Sequence, residues 1–383
     1  YLGRRDCLAE SPANRKSGGL IMNDREKQIL KILRRNPLIQ QNEIADILQI
    51  SRSRVAAHIM DLMRKGMIKG KGYILTEQDY CVVVGAINMD IRGVADIHYP
   101  QAASNPGSIH CSAGGVGRNI AHNLALLGRD VHLISAVGSD FYGETLLEQT
   151  RQAGVNVSSC IRLHGHNTST YLSIANQQEE TVLAINDTHI LQQLTPQLLN
   201  GSRDLIRHSG VVLADCNLTA EAIEWVFTIA DDIPVFIDTV SEFKAAKMKT
   251  WFTRIHTLKP TQKELGILWG KPVQSDADRV QAVNELHQQG VKRIFVCLED
   301  ESVFCSEKDG EQFLLTSPKH TVIDSFGADD AFMAGLLYSF LEGSEFRESA
   351  QFAMACAALS RASVSINNPT LSADNALYLL QTA

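Results

Sequence analysis

Short apolar runs rich in β-branched residues alternate with helical patterns from residue 81 to residue 341. Such runs predict buried strands, and apolar residues that recur every three or four positions between them predict helices. Strands joined through helices pair in parallel, because a parallel connection needs a long crossover. The sequence therefore predicts an α/β fold with a mostly parallel central sheet flanked by helices. The predicted strands are residues 81–85, 131–137, 211–215, 234–238 and 293–298, and the predicted helices lie near 118–127, 143–153, 219–230, 276–289 and 330–341.

Two segments within this region, 91–111 and 168–186, do not follow the alternation. Alternating residues in the second segment, such as Leu172 and Ile174, suggest hairpin strands. We expect the two segments to form a small β-sheet that covers a site as a lid. Thr170 and Asn186 would then offer polar groups to a ligand under this lid.

Residues 22–76 form a separate unit with three predicted helices and a hairpin. The first helix starts at Asp24 and ends before Asn36-Pro37, the second covers 41–48, and the third runs from a Ser51 or Ser53 cap to about Lys65. This unit holds 11 Lys/Arg against 5 Asp/Glu. The order of elements, followed by a basic hairpin over 67–75, resembles a winged helix-turn-helix DNA-binding domain.

The resemblance implies that the third helix enters the major groove of DNA and that the hairpin lies near the backbone. The residues expected to contact DNA are Arg52, Arg54 and His58 on the helix and Lys69 and Lys71 on the wing. The alternative is a small protein-docking domain whose third helix is simply solvated. Because an all-α unit with positive charge precedes a large acidic one, DNA is the partner that we predict.

Composition limits the remaining possibilities. The chain has 383 residues, of which 44% are apolar, and a net charge of −7. No apolar run approaches the length of a membrane span, so no membrane partner is expected. Its eight cysteines form no C-x-x-C pair, which predicts a reduced, cytoplasmic protein. We expect residues 1–21, which are polar and begin at Tyr1, to be a disordered, tag-like segment ahead of a start at Met22.

Residues 324–335 read Asp-Ser-Phe-Gly-Ala-Asp-Asp-Ala-Phe-Met-Ala-Gly, and we name this segment the second motif. It places small residues and carboxylates at the start of an apolar helix, where free backbone N–H groups can hold an anion. An anion cradle beside a carboxylate base is what phosphoryl transfer requires. The alternative for this segment alone is an ordinary N-cap.

Residues 112–128 contain Gly-Gly-Val-Gly-Arg-Asn-Ile-Ala at 114–121, which we name the first motif. Its glycines let a ligand approach the backbone, and Asn119 opens a helix. Together the two motifs resemble the signatures of the ribokinase-like, or PfkB, family of carbohydrate and nucleoside kinases. The first matches the family's Gly-Gly-x-Gly-x-Asn-x-Ala run, and Asp324 to Asp330 match its Asp-Thr-x-Gly-Ala-Gly-Asp run. The resemblance covers residues 81 to about 375, so the kinase domain is expected over 81–383.

The family resemblance implies ATP and Mg²⁺ as cofactors, together with a monovalent cation such as K⁺. Asp330 would be the catalytic base, and the amides of Gly327, Ala328 and Asp329 would form the anion hole with it. Asp90 would grip hydroxyls of the substrate, whereas Glu264 would hold Mg²⁺ through water. The further assignments are Gly114, Gly115 and Asn119 to the substrate, Lys244 and Ser325 to the nucleotide, and Asp324 to the monovalent cation. Taken singly, Asp90 fits a turn former and Glu264 a solvated helix residue equally well.

Three positions depart from the family pattern. Asp329 stands where the family has glycine, Thr261 replaces an asparagine of the magnesium motif, and residues 297–302 replace a Thr-x-Gly-x-x-Gly turn near the nucleotide. Asp329 would repel a triphosphate if its side chain faced the phosphates. These departures leave a third possibility open, a transcription regulator whose kinase-like domain mainly senses a ligand.

Local runs point to a narrower branch of the family. Residues 185–187, 214–218 and 238–241, the last followed by Lys244 and Lys247, are similar to segments of pseudouridine kinases. That similarity implies phosphorylation of the 5′-hydroxyl of a nucleoside. A sugar or another nucleoside remains the alternative substrate. Winged helices commonly bind DNA as dimers, so a homodimer is expected.

Overall fold

The computed structural model describes residues 23–36, 39–68, 79–95, 106–176, 178, 181–318, 322–323 and 326–382. The chain divides into two compact units, Tyr1–Thr76 and Glu77–Ala383, and each is described by itself. The predictions for residues 1–21 and for Lys69, Lys71, Asp324 and Ser325 lie outside the described residues, as does most of the predicted hairpin over 67–75.

The N-terminal unit contains the three predicted helices, α1 (Asp24–Arg35), α2 (Gln41–Leu48) and α3 (Arg52–Arg64). A capping box starts α1, in which Asn23 and Glu26 exchange side-chain and backbone hydrogen bonds. The Ser51 side chain accepts a hydrogen bond from the Arg54 N–H and starts α3. The three helices share a core built mainly from Ile29, Leu33, Ile44, Val55, Ile59 and Leu62.

The C-terminal unit is organised around an eight-stranded sheet, as the alternation of runs predicts. Six neighbouring strands are parallel, and the two strands at one edge pair antiparallel. In spatial order the strands are β14 (Gln312–Leu315), β13 (Val303–Glu307), β12 (Arg293–Cys297), β11 (Thr257–Lys259), β10 (Val235–Asp238), β9 (Val211–Asp215), β1 (Cys81–Val84) and β4 (Val131–Ile134).

Helices cover both faces of this sheet. Alternate residues of β1 show the two layers, because Cys81 and Val83 pack in one apolar core and Val82 and Val84 in the other. Burial on both faces explains why β1 reads as a continuous apolar run. The helices are α4 (Val116–Leu126), α5 (Phe141–Gln152), α6 (Pro196–Leu199), α7 (Arg203–Arg207), α8 (Ala220–Ala230), α9 (Glu242–Ala245), α10 (Gln262–Trp269), α11 (Asp276–Gln288), α12 (Ala328–Glu342), α13 (Phe346–Arg361) and α14 (Ala373–Thr382), with 3₁₀ turns at His189–Gln193, Asn200–Ser202 and Ala246–Arg254.

The two irregular segments contribute to a separate four-stranded sheet, which we name the lid sheet. Its spatial order is β3 (Gly107–Gly114), β2 (Asn88–Ala95), β7 (Thr170–Ala175) and β8 (Thr181–Asp187). The hairpin prediction for 168–186 is confirmed, because β7 and β8 pair antiparallel. A third, two-stranded sheet joins β5 (Ala136–Gly138) to β6 (Ile161–Leu163). Among the helices that the structure describes, none combines the length and apolar character needed to cross a bilayer.

Candidate active site

The second motif begins α12 in a conformation that only glycine adopts easily. Gly327 has φ of 78°, and a Cβ atom there would lie 2.3 Å from the backbone oxygen of Ile366. The helix therefore starts against the segment that follows α13. The first N–H groups of α12 have no intrahelical partner, so Ala328, Asp329 and Asp330 form a potential anion site.

Asp330 lies in the first turn of α12 and is tied to the first motif. The Asn119 side-chain amide donates a hydrogen bond to Asp330 Oδ2 at 3.0 Å. Burial, followed by the neighbouring charge of Asp238, raises the pKa of Asp330 well above its usual range, while Asn119 and Lys259 oppose the shift. A raised pKa makes the carboxylate a better proton acceptor near neutral pH than an ordinary aspartate.

The first motif turns tightly from the lid sheet into α4. Gly115 has φ of 100°, and a Cβ atom there would meet the Ala86 oxygen at 2.5 Å. Asp215, at the end of β9, closes the same turn from below. Its Oδ2 accepts hydrogen bonds from Ala86 N at 2.7 Å and from Gly117 N at 3.0 Å. Asp215 lies in the run 214–218, but the sequence predicts no role for it in the site.

A cavity of about 190 Å³ opens beside the first motif. Of the residues predicted to bind substrate, Asp90, Gly115, Asn119 and Asn186 line it. Lys244, which the resemblance assigns to the nucleotide, also lines this cavity. The complete lining is Asn88, Asp90, Gly115, Val116, Asn119, Tyr171, Asn186, Thr188, Asn217, Val240 and Lys244.

Two predicted substrate residues stand beside this cavity without lining it. Thr170 starts β7, where it pairs with Met89 and Asp187. Its hydroxyl donates to the Thr168 backbone oxygen at 3.2 Å. Gly114 packs so closely on Asp90 that a Cβ atom would lie 2.1 Å from Asp90 Oδ2. Both residues therefore support the wall of the cavity by packing against residues in or next to its lining.

Asp90 is half-buried on β2 of the lid sheet, and it lines the cavity. Asn88 Nδ2 donates to Asp90 Oδ1 at 2.5 Å. Burial raises the pKa of Asp90 to about 6, although Asn88 and Arg118 both lower it. The carboxylate is thus held in a low-dielectric setting, where a hydrogen bond to a sugar hydroxyl is stronger than in water.

Lys244 and Asn217 form a polar pair at another part of the wall. Lys244 Nζ donates to Asn217 Oδ1 at 2.5 Å, and Asn217 N donates to Asp215 Oδ1 at 2.8 Å. Burial lowers the pKa of Lys244 from its usual value. Asn217 was not predicted as a site residue, although its place two residues after a buried strand-end aspartate is a signal that could have marked it.

Glu264 is engaged at the start of α10. Its Oε2 accepts hydrogen bonds from Thr239 Oγ1 at 2.6 Å and from Thr261 N at 2.8 Å, the second being part of a capping box. These bonds give Glu264 a structural role and leave its other oxygen for an ion. Thr261 supplies the cap at the position where the family has asparagine, so the substitution keeps the helix start.

A buried ion pair lies between the strand ends and the second motif. Lys259 Nζ is 3.0 Å from Asp238 Oδ2, and both side chains are 6% exposed. Burial lowers the pKa of Lys259, but the facing charges of Asp238 and Asp329 outweigh it and raise the pKa well above its usual range. Lys259 is therefore a fixed positive charge near the predicted anion hole.

Residues 297–302 and α13 enclose a small cavity of about 20 Å³ beside Asp329. Glu301 adopts φ of 64°, a left-handed conformation that glycine favours. Its carboxylate is 3.8 Å from Arg361 Nε. Asp329 is exposed to solvent and also lines this cavity. Two of the three departures from the family pattern, Asp329 and residues 297–302, therefore lie together next to the start of α12.

The N-terminal unit separates the predicted DNA contacts into two groups. Arg52 and Arg54 are exposed at the start of α3. His58 is half-buried instead. One ring nitrogen of His58 and one carboxylate oxygen each from Glu26 and Asp61 lie within 4.8 Å of one another. Lys65 also binds Glu26, at 2.8 Å and 2.7 Å to its two oxygens. His58 is thus half-buried beside Glu26 and Asp61, whereas Arg52 and Arg54 are exposed, and all three stay predicted DNA contacts.

Comparisons with known proteins agree with this geometry. Residues 78–373 match the family model described as pfkB family carbohydrate kinase, and residues 22–69 match winged helix-turn-helix DNA-binding. The chain is 79% identical to "Uncharacterized sugar kinase YeiI" of Escherichia coli over 94% of this chain and 99% of that protein. It is 40% identical to "Pseudouridine kinase" of the same organism, over 81% and 99% of the two chains.

Solved structures give the same fold. The structure of Arabidopsis thaliana ribokinase complexed with ribose and ATP superposes with a TM-score of 0.73 at 22% identity, covering 79% of this chain and 99% of that one. A carbohydrate kinase from Agrobacterium tumefaciens superposes with a TM-score of 0.69 at 29% identity, covering 79% and 97%. The predicted ribokinase-like fold is therefore confirmed, and this chain belongs to the pfkB family of carbohydrate kinases, with a winged helix-turn-helix region preceding the kinase domain.

Proposed function

We propose that this ATP-dependent phosphotransferase phosphorylates the 5′-hydroxyl of a nucleoside, with pseudouridine favoured, and that its N-terminal unit binds DNA. The observation that carries the substrate proposal is the chemistry of the cavity wall. Asp90 offers a carboxylate to sugar hydroxyls, whereas Asn186, Asn217 and Lys244 add polar groups away from it. A nucleobase needs such donors and acceptors, whereas a free sugar does not require this second polar wall. The 40% identity to a pseudouridine kinase supports the same substrate class.

The catalytic residues act by position and charge. Asp330 accepts the proton of the substrate hydroxyl as that oxygen forms a bond to the terminal phosphorus of ATP and the bond to the bridging oxygen breaks, leaving ADP. The N–H groups of Gly327, Ala328, Asp329 and Asp330 stabilise the negative charge on the transferred group. Asp90 holds the sugar so that its 5′-hydroxyl faces Asp330.

Mg²⁺ would be held at this site mainly by the phosphates of the nucleotide, with few direct protein ligands. Within the described part of the kinase unit, no three carboxylate, histidine or cysteine ligands converge. Glu264 would hold the ion through water, using the oxygen that the capping box leaves open. The ion supplies charge neutralisation on the phosphates. We also assign Asp324 to a monovalent-cation site for K⁺ and Ser325 to the nucleotide, on the family resemblance alone.

The N-terminal unit and the lid sheet extend this proposal. Arg52, Arg54 and His58 on α3, with Lys69 and Lys71 on the wing, would contact DNA in a cytoplasmic protein. The lid sheet exposes Val182, Leu183 and Ile185 on β8, each more than half accessible. Exposed apolar side chains on an edge strand commonly mark an interface. We therefore propose that two copies associate through the lid sheets.

One observation favours a second function. Asp329 and the turn over residues 297–302, where Glu301 lies 3.8 Å from Arg361, depart from the family pattern beside the start of α12. A regulator that senses its ligand with little turnover would fit this arrangement.

A substrate panel separates the two functions. Pseudouridine, uridine, ribose and fructose are each incubated with Mg·ATP, and the product is identified by ³¹P NMR and mass spectrometry. We expect 5′-phosphorylated pseudouridine at the highest kcat/KM. The Asp330→Asn variant, purified in parallel, measures any contaminating kinase. Faster turnover of ribose or fructose would overturn the nucleoside proposal. Absence of turnover with all four, combined with a ligand-dependent change in DNA affinity, would favour the sensor.

A further inference from the structure

Arg118 is a buried cation within the first motif that the substrate and phosphate roles above do not use. It is 5% exposed, although it lies beside the cavity between Gly117 and Asn119. A buried arginine needs partners to offset the loss of hydration. Its Nη1 donates to Asn367 Oδ1 at 2.6 Å, to Asn119 Oδ1 at 3.1 Å and to the Ala113 oxygen at 3.2 Å.

The contact between Arg118 and Asn119 determines which way the Asn119 amide points. A guanidinium only donates hydrogen bonds, so the Asn119 oxygen must face Arg118. The Asn119 nitrogen then faces the other side, where it donates to Asp330 Oδ2 at 3.0 Å. A flipped amide would instead place its oxygen against the Asp330 carboxylate and repel it. Arg118 thus acts on Asp330 through Asn119.

The same arginine also fixes the segment that supports α12. Asn367 accepts from Arg118 and donates to the Asn119 backbone oxygen at 3.0 Å and to Asn123 Oδ1 at 2.9 Å. Its neighbour Ile366 packs its backbone oxygen against Gly327. Arg118 therefore connects the helix that carries Asn119 to the segment on which the anion site rests.

We propose that Arg118 is a positioning residue for the proposed kinase reaction, which fixes the Asn119 amide so that its N–H group faces the Asp330 carboxylate. The proposal rests on the proposed function, because it assigns Asp330 as the base. Arg118 does not line the proposed substrate cavity, and its effect passes through Asn119. Its positive charge also acts on Asp90 and Asp330 electrostatically.

Steady-state kinetics of two substitutions test this role. Arg118→Met keeps length but removes every donor, so the Asn119 amide is free to flip. We expect kcat to fall about 10-fold or more, the scale of losing an oriented hydrogen bond to a charged group. Arg118→Lys keeps a donor-only cation, and we expect it to restore kcat to within about 3-fold of the unchanged protein. Arg151→Met, at an exposed arginine of α5 paired with Glu148, is the matched control and should leave kcat unchanged.

A purely structural role would give a different result. Arg118→Met and Arg118→Lys would then lose kcat equally, in step with their melting temperatures, and the proposal would be wrong. If Arg118→Met fails to fold, Arg118→Gln replaces it, because a glutamine amide can present either an oxygen or an N–H group to Asn119. Loss of kcat in Arg118→Gln at an unchanged melting temperature supports the proposal, and unchanged kcat overturns it.

A measurement without turnover separates this proposal from the proposed function. In protein labelled with ¹⁵N-asparagine, the side-chain amide signal of Asn119 is identified by its absence in Asn119→Ser. We expect this signal to shift and its protons to exchange faster with water in the Arg118→Met or Arg118→Gln variant, and to stay in place in Arg118→Lys. An unchanged signal after removal of the arginine overturns the positioning role. If no substrate is phosphorylated, the proposed function fails, whereas this signal still decides the orientation of Asn119.

Discussion

Asn119 and Asp330 join the two glycine-rich motifs, because the Asn119 amide donates to the Asp330 carboxylate at 3.0 Å across a sequence separation of 211 residues. This bond opposes the effect of burial, which raises the pKa of Asp330. Among the described contacts, Asn119 is the only side chain that donates a hydrogen bond to the Asp330 carboxylate, so Asn119 orients it. Its neighbour Asp329 is exposed and faces the small cavity beside residues 297–302. The two adjacent aspartates thus occupy different environments, which leads to opposite expectations for their substitution.

Asp330→Asn should lower kcat by about 10²-fold or more, because a positioned base contributes on that scale. Asp329→Asn is the matched control, one residue away and of the same chemistry. We expect it to keep kcat within about 3-fold and to lower the KM for ATP, because it removes a negative charge beside the phosphates. Initial rates with varied ATP measure both effects. Near-normal turnover of Asp330→Asn would contradict the assignment of the base.

Asp90→Asn should stabilise the protein above pH about 6 while weakening substrate binding. The folded-state pKa of Asp90 is raised from 3.8 to about 6, chiefly by burial, so the folded protein holds this proton more tightly than the unfolded chain. Ionisation of Asp90 therefore costs stability as the pH rises from about 4 to about 6, and the cost persists above that range. Asparagine carries no such charge.

Melting temperatures of the two proteins across this range measure the effect. We expect Asp90→Asn to melt higher at pH about 8 and the difference to shrink below pH about 4, while the KM for the nucleoside rises. A variant that melts lower at pH about 8 would show that the hydrogen bond from Asn88 outweighs the cost of burial.

Features that depend on neighbouring residues in the sequence could be predicted, whereas features that depend on residues far apart in the chain could not. The order of strands and helices and the two motifs were available from local patterns, because burial on both faces and helix starts leave local signals. The strands β13 and β14, the three-residue central strand β11 and the helix α13 were not predicted. β13 and β14 pair antiparallel at one edge, which ends the regular alternation, and β11 is too short to leave a clear apolar run.

The site was predictable where the motif itself carries the residue, as for Asp330 and Asn119. The partners of Arg118 were not, because Asn367 lies 249 residues away and only the folded chain brings them together. His58 was predicted as a DNA contact from its place on α3. In the structure its ring also lies near Glu26 and Asp61, which the local pattern of α3 did not indicate, and the DNA contact stays a prediction.

Lys259→Met should destabilise the kinase unit strongly. Lys259 and Asp238 are both 6% exposed, and removing the lysine leaves a buried carboxylate without its counterion. Breaking a buried pair in this way typically costs about 3–5 kcal/mol. Urea unfolding measures the free energy of unfolding for this variant and for the double variant Lys259→Met/Asp238→Asn. We expect the double variant to recover much of the loss. A double variant less stable than Lys259→Met would contradict the pairing.

Arg54→Ala should weaken DNA binding and reduce its dependence on salt. Each phosphate contact releases counterions, so losing one contact lowers the slope of log affinity against log salt by about 1. Lys27→Ala is the control, because Lys27 lies on α1 beside Asp24. Gel-shift titrations on genomic fragments at several salt concentrations measure both variants. Unchanged affinity of Arg54→Ala would show that the start of α3 does not contact DNA.

Ile185→Lys should convert a homodimer into monomers. Ile185 is 54% exposed on β8, the edge strand of the lid sheet, together with Val182 and Leu183. A lysine on this strand would place a charge in the proposed interface, where it would remain without a counterion. Phe141→Lys is the control, because Phe141 is 79% exposed on α5, outside the lid sheet. Sedimentation velocity measures the mass of each protein in solution. A monomer before substitution would contradict the homodimer, and a dimer that survives Ile185→Lys would show that the copies do not associate through β8.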